Sequence, residues 1–256
     1  MATTTPDLAT IKTTTGLAVT CRHILGDDAE EIYRREQKRQ NLDIATFLLD
    51  RCVVGVDDPG IYGEKFRQVR DFAKVLSGDR YHLLMYLRAH SIDDNYLFVV
   101  PCPVCKKPIK WEVSIKELPL LELPDGHLER LMAGEREFED TVDSFGPVKI
   151  VYADGEIESK IRQDMEKQGH SPIMATILNR ITAVGDVTGK GNIYELVKKA
   201  RATLQDELFY LCGKYDCGLN IYIGVRCNRV GCGAVGDVTL PFDPRFLMPK
   251  SSRASF

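Results

Sequence analysis

The chain lacks any strong excess of charge: 34 Lys and Arg stand against 37 Asp and Glu, a formal net charge of −3. Wrapping nucleic acid by phosphate neutralisation would therefore need a local basic patch, since no global field supplies one. No run reaches the ~18 apolar residues of a membrane-spanning helix, so no membrane partner is expected. Residues 1–6 are Thr-rich and uncharged, without the basic and apolar segments of a secretory signal. The five histidines (His23, His82, His90, His127 and His170) are scattered, and none sits with a Ser or Cys in a nucleophile signature. His82 and His90, eight apart on one expected helix, suit exposed surface. Gly185–Gly191 lacks the order of a phosphate loop and reads as a flexible loop after a helix. The single tryptophan, Trp111, alternates with Lys110 and Glu112 and covers one face of an expected hairpin, without the cluster of aromatic and basic neighbours that would support base stacking. Together these absences point away from an enzyme.

Cysteine is what the chain has, eight in 256 residues. That number fits metal binding in a reducing compartment better than a disulfide framework, which belongs to short secreted domains.

The cysteines sit in a tandem pattern. Asn95–Pro101 leads into Cys102 as Asn220–Arg226 leads into Cys227, each a β-rich run entering a cysteine turn. A second apolar run follows each turn (Ile109–Ile115, Ala234–Leu240), then a proline-containing exit at Pro119 and Pro241. Upstream, Ile44–Arg51 reappears as Met174–Arg180, each followed by a valine-rich bend, and Leu83–Leu87 is matched by Leu208–Leu211. Repeated landmarks in one order read as internal duplication. The expected fold class is α+β, in two tandem halves of a short strand, several helices and a Cys-bearing β-hairpin.

The first half is expected to contain a strand at Leu17–His23 and helices at Asp28 to about Gln40, from Asp43 as N-cap, at Tyr62–Val75 and at Arg80–His90. The second contains a strand at Val148–Tyr152 and helices at Ile157–Gln168, from Ser171–Pro172, at Ile193–Ala202 and at Gln205–Cys212. The basic run Arg34–Arg39 reads as a solvated face of the first helix, balanced by acids in its opening turn. The expected organisation is a flexible N-terminus (1–15), a first repeat (16–123), an acidic connector (124–146) with a short helix near Leu128–Met132, a second repeat (147–249) and a tail (250–256). The Pro-rich run 240–249 is expected to fold back on the hairpins.

Cys102–Cys105 is a C-x2-C turn and Cys227–Cys232 a C-x4-C turn, both tolerated in zinc knuckles. Two knuckles on matching hairpins supply the four thiolates of a structural zinc site, so Cys102, Cys105, Cys227 and Cys232 are the expected metal ligands. The bland alternative is four buried cysteines acting as small hydrophobes. A thioredoxin-like C-x-x-C is disfavoured because the motif sits in a hairpin instead of opening a helix. Cys212 and Cys217 form a further C-x4-C that could substitute for a ligand, but packing at a helix end suits them better. Cys21 and Cys52 read as core.

Several motifs in fixed order resemble the baseplate hub assembly proteins of contractile-tailed phages, the T-even-like baseplate protein family. They are Gly16–Arg22, Asp27–Asp28, Leu48–Val53, Asp79–Tyr81, Leu84–Arg88 and Ser91–Tyr96 ahead of Cys102–Cys105, then Gly218–Ile221, Cys232–Gly233 and Leu240–Phe246. The chain departs from the pattern at Lys106, where glycine commonly follows the second cysteine, and in the four-residue spacer of the second knuckle. The resemblance implies a non-enzymatic role in building or occupying the tail baseplate hub. Other phage tail or hub proteins would be its partners, in the host bacterial cytoplasm during assembly or in the virion tail baseplate. A rival reading is a zinc-ribbon nucleic-acid-binding module, for which Lys106, Lys107, Lys110, Arg226 and Arg229 would form the basic face. A second is an enzyme, which would need a pocket with convergent polar groups.

Overall fold

A computed structural model describes residues 8–37 and 43–240. The first part of the chain forms β1 (Leu8–Lys12), β2 (Leu17–Arg22), α1 (Gly26–Gln37), α2 (Ile44–Cys52) and β3 (Val53–Pro59). A short helix α3 (Lys65–Gln68), the long helix α4 (Ser77–Ser91) and the hairpin of β4 (Asn95–Pro101) and β5 (Pro108–Ser114) follow. After β6 (Leu120–Leu121) and α5 (His127–Met132) come β7 (Glu137–Val142), β8 (Gly146–Val151), α6 (Gly155–Gln168), α7 (Pro172–Arg180), β9 (Ile181–Val184) and β10 (Val187–Thr188). The described chain ends with α8 (Lys190–Lys199), α9 (Ala202–Lys214), β11 (Gly218–Leu219) and the hairpin of β12 (Tyr222–Arg226) and β13 (Val235–Thr239). The architecture is mixed α/β, and the strand pairings between these elements are antiparallel.

Local chemistry explains the best-placed elements. Asp43 caps α2 by accepting from Thr46 N, and Ser171 caps α7 by accepting from Met174 N, with Pro172 at the first helical position where no amide donor is needed. In β4 the side chains alternate strictly between exposed and buried, so Tyr96, Phe98 and Val100 face the core.

Several expectations need correction. Residues 8–12, assigned to a flexible N-terminus, form β1 on β2, with Ile11 turned inward. The first valine-rich bend, Val54–Asp57, is part of strand β3 on β2, whereas the second, Val184–Asp186, is the turn that closes β9. The helix expected over Tyr62–Val75 is broken into 3-10 turns around α3, because Phe66 and Phe72 are drawn into the core on opposite sides of an exposed Val69–Arg70. Within the acidic connector α5 falls where a short helix was expected, but Glu137–Val142 pairs with β8 as an edge of the second sheet, whose order is β10-β9-β8-β7. Gly185–Gly191 follows a strand and not a helix; it makes the β9–β10 turn and opens α8. His82 is buried, which pushes its pKa down to about 4, and Asp28 is a buried anchor for Arg22 and Arg51, at 2.7 and 2.5 Å. The fold-back expected of residues 241–249 and the basic positions 38 and 39 lie outside the described residues.

Two apolar cores form, and they do not divide at the middle of the sequence. The first gathers β1 to β5 with α2 and α4, and it also takes in Leu219, Ile223, Val225, Cys227 and Leu240 from the far end of the chain. The second is built on β7 to β9 with α7 to α9, and it takes Ile61 and Leu76 from the first half.

Backbone contact between the halves is close where α4 meets β11. A Cβ on Gly78 would lie 1.8 Å from the Cys217 carbonyl oxygen, and one on Gly218, whose φ is +92°, would lie 2.3 Å from the Gly78 oxygen. Next to this contact Arg80 is buried, with Nη2 2.8 Å from Asp43 Oδ1 and Nη1 3.1 Å from Glu158 Oε2, so one guanidinium ties the cap of α2 to α6. Gly78→Ala is expected to lower stability by about 3 kcal/mol or more, because backbone on both sides must shift, and urea denaturation of the full chain measures it.

Candidate metal centre

The two hairpins converge at their cysteine turns. Cys102 Sγ lies 3.9 Å from Cys232 Sγ, and Cys105 Sγ lies 3.9 Å from Cys227 Sγ. All four sulfurs fall within 4.8 Å of one another. Cys102 and Cys227 are buried in the first core, while Cys105 and Cys232 are half-buried at its margin.

Each turn is built to present sulfur. In the first, Cys102 N donates to Lys107 O at 2.8 Å, Lys106 N donates to Cys102 O at 3.0 Å, and Cys105 N points at Cys102 Sγ at 3.4 Å. In the second, Cys227 N donates to Ala234 O at 2.8 Å and Cys232 N to Arg229 O at 3.1 Å. The second bridge spans two residues more, which absorbs the longer C-x4-C spacing. The residue after the second cysteine is left-handed in both turns, Lys106 at φ 59° and Gly233 at φ 57°. Lys106 is the only non-glycine with positive φ among the described residues, which gives a steric reason for glycine at that place. Pro103 closes the arrangement by lying against β13, so close that a Cβ on Gly236 would fall 2.7 Å from its Cγ.

The donor set suits one four-coordinate thiophilic ion. Tetrahedral Zn–S bonds of about 2.3 Å place the sulfurs about 3.8 Å apart, near the two 3.9 Å separations. A disulfide would need about 2.05 Å, and these cysteines are free. A spread of 4.8 Å is too small to surround anything larger than a single ion. The thiols also ionise unevenly. The Cys105 N–H bonded to its sulfur draws Cys102 down to about 6. Cys227 is pushed up to about 11: the Arg229 N–H works against that rise, but burial and the neighbouring sulfurs prevail. Crowded thiols resist losing several protons together, and a divalent cation among them removes that resistance.

The remaining cysteines stand apart from this cluster. Cys212 is buried at the end of α9 and Cys217 beside Gly78, with neither in the four-sulfur group, and Cys21 and Cys52 lie in the first core. Burial raises the pKa of all four. A cleft of about 800 Å³ between the halves, unsignalled by any local motif, is lined by Glu158, Arg180 and Asp216 among apolar neighbours such as Leu121 and Phe209. Three of its charges are already engaged: Arg180 Nη1 is 2.7 Å from Asp216 Oδ1, and Glu158 is held by Arg80.

Fold and site together define a mixed α/β protein in which four cysteines from two β-hairpins cluster within metal-binding distance. No protein-family model, curated protein or solved structure matches the chain. Among the described residues no helix is long and apolar enough to cross a membrane.

Two measurements test the centre. Cys102→Ser and Cys227→Ser, one from each hairpin, are each expected to reduce bound zinc from one equivalent to well below half by elemental analysis of the purified chain; loss in only one of them contradicts a shared site. Lys106→Gly is expected to retain zinc and to raise the melting temperature modestly, by removing a left-handed strain of about 1 kcal/mol.

Proposed function

We propose that the four cysteines hold one structural Zn²⁺, and that the chain is a non-enzymatic assembly protein or minor component of a phage tail baseplate hub, working through contacts with other tail proteins. The observation that carries the metal reading is the four-sulfur cluster with spacings near those of a ZnS₄ tetrahedron. Four protein thiolates would fill the coordination shell of zinc, which leaves no position for an activated water and gives the ion a structural task. The residues around it supply the rest of the clasp: the Cys105 N–H favours the charged form of the Cys102 sulfur, and Pro103 seats one hairpin on the other.

The baseplate reading rests on the ordered motifs between residues 16 and 249. It draws further support from a repeated element order, which we read as the product of internal duplication. Hairpin β1–β2, helices α1 and α2, strand β3, then α4 and the Cys hairpin are paralleled by hairpin β7–β8, helices α6 and α7, strand β9, then α8, α9 and the second Cys hairpin. The left-handed residue after the last cysteine of each turn is a further parallel. On this reading the repeats are residues 16–123 and 147–249, with β1 and β7 each adding a strand just ahead of its repeat. Assembly would take place in the host bacterial cytoplasm, with the chain retained in the baseplate or released.

Co-expression of the tagged full chain with tail proteins encoded beside it is the test. Stoichiometric recovery of one or more of them by the wild-type chain, weakened when Cys102→Ser or Cys227→Ser releases zinc, is expected. Recovery of nucleic acid at physiological salt without any tail protein would favour the zinc-ribbon module instead, for which the cations around the knuckles are the specific observation.

A further inference from the structure

Lys106, Lys107 and Lys110 follow the first knuckle, and Arg226 and Arg229 flank Cys227; all five are exposed. Residues 101–110 and 226–235 contain no acidic side chain, although the chain as a whole is net negative. None of the five cations is in an ion pair among the described residues, whereas Arg22, Arg51, Arg80 and Arg180 each hold a carboxylate. The sulfurs do not employ them either: Cys102 receives a backbone amide, and Lys106 Nζ turns to the Pro103 carbonyl at 2.7 Å.

Exposed apolar residues accompany these charges. Val104 and Val230 occupy the two knuckle tips, Val230 with no shielding at all, and Val235 opens β13 directly opposite Arg226. A single exposed valine is ordinary. Two on turns whose cysteines meet within 4.8 Å and a third at the start of β13, on hairpins that carry five cations without an ion pair among the described residues, offer the apolar and charged elements of a protein interface.

We infer that the paired knuckle tips are a docking surface for an acidic partner protein, which covers Val104, Val230 and Val235 and sets carboxylates against the surrounding Lys and Arg. This rests on the assembly reading above and names the surface through which assembly would run. Charge complementarity selects the acidic partner. Nucleic acid fits less well, because the exposed valines would face phosphate and the knuckles offer no exposed ring for stacking. Trp111 packs partly buried against the first core, and Tyr222, which is exposed, lies at the end of β12 remote from its knuckle.

The experiment uses the zinc-loaded full chain, co-expressed with the neighbouring tail proteins. The charge-reversal variant Lys107→Glu/Lys110→Glu/Arg229→Glu is expected to keep its zinc and melting temperature while recovering at least about tenfold less tail protein. Zero-length carbodiimide coupling of the wild-type complex should join Lys107 or Lys110 to an Asp or Glu of that partner, and recovery should fall as salt rises. Undiminished recovery by a zinc-loaded variant overturns the docking surface and leaves the assembly reading standing. Absence of any tail protein on the wild-type chain removes the assembly reading and the docking surface with it. Loss of short duplex DNA by the variant, with tail protein retained, makes the face a nucleic-acid surface and also overturns the inference. Should the triple variant lose zinc, the wild-type coupling map and the single change Val230→Asp decide: cross-links elsewhere and full recovery by Val230→Asp reject it.

Discussion

Four sulfurs within 4.8 Å of one another hold together two hairpins whose first cysteines are 125 residues apart in sequence. Closing a loop of that length is entropically unfavourable, though the penalty grows only logarithmically with length. The apolar surface of both hairpins offsets it, since Phe98, Val100, Ile109, Ile223 and Val225 share one core with the buried cysteines. Any metal held by the four sulfurs would therefore act on the same contact as the apolar packing. An ion bound there stabilises the folded chain by its preference for a site that the unfolded chain does not possess.

The rest of the molecule positions that contact. Gly78 and Gly218 bring α4 and β11 together backbone to backbone, immediately before the chain turns into β12. Arg80, one turn into α4, holds α6 of the second half through Glu158 and the start of α2 through Asp43. A buried guanidinium shared by two carboxylates adds little net stability compared with an apolar replacement, but it penalises any arrangement in which one charge is left unpaired. Orientation between the halves thus depends on groups that tolerate little displacement.

Where information was local, it was legible in the sequence. The caps Asp43 and Ser171–Pro172, the alternation in Asn95–Pro101 and the paired cysteine turns all announce themselves through residue type and spacing. What escaped depends on distant partners. Ile11 makes Leu8–Lys12 a strand only because β2 lies beside it, and the Tyr62–Val75 helix breaks because Phe66 and Phe72 are pulled inward separately. An acidic composition concealed β7, whose Phe138 and Val142 face the second core while Glu137 and Glu139 are exposed and Asp140 accepts from Tyr215 and Lys214. Likewise the burial of His82 and Asp28 and the facing glycines cannot be inferred from near neighbours. The convergence of the sulfurs could be expected from two cysteine turns at ligand spacing, which together make one four-thiol set.

The first core has one further consequence, for the order in which the protein can be made. Leu219, Ile223, Val225 and Leu240 belong to it, yet the first three lie in β11 and β12 and Leu240 directly follows β13. A ribosome releases residues from the N-terminus onward, so β1 to β5 emerge with one wall of their core absent and two of the four thiols without partners. They must wait through the synthesis of more than a hundred residues, including the whole second sheet. Closure of the first core therefore waits for the synthesis of β12 and β13, and not merely for that of β1 to β5.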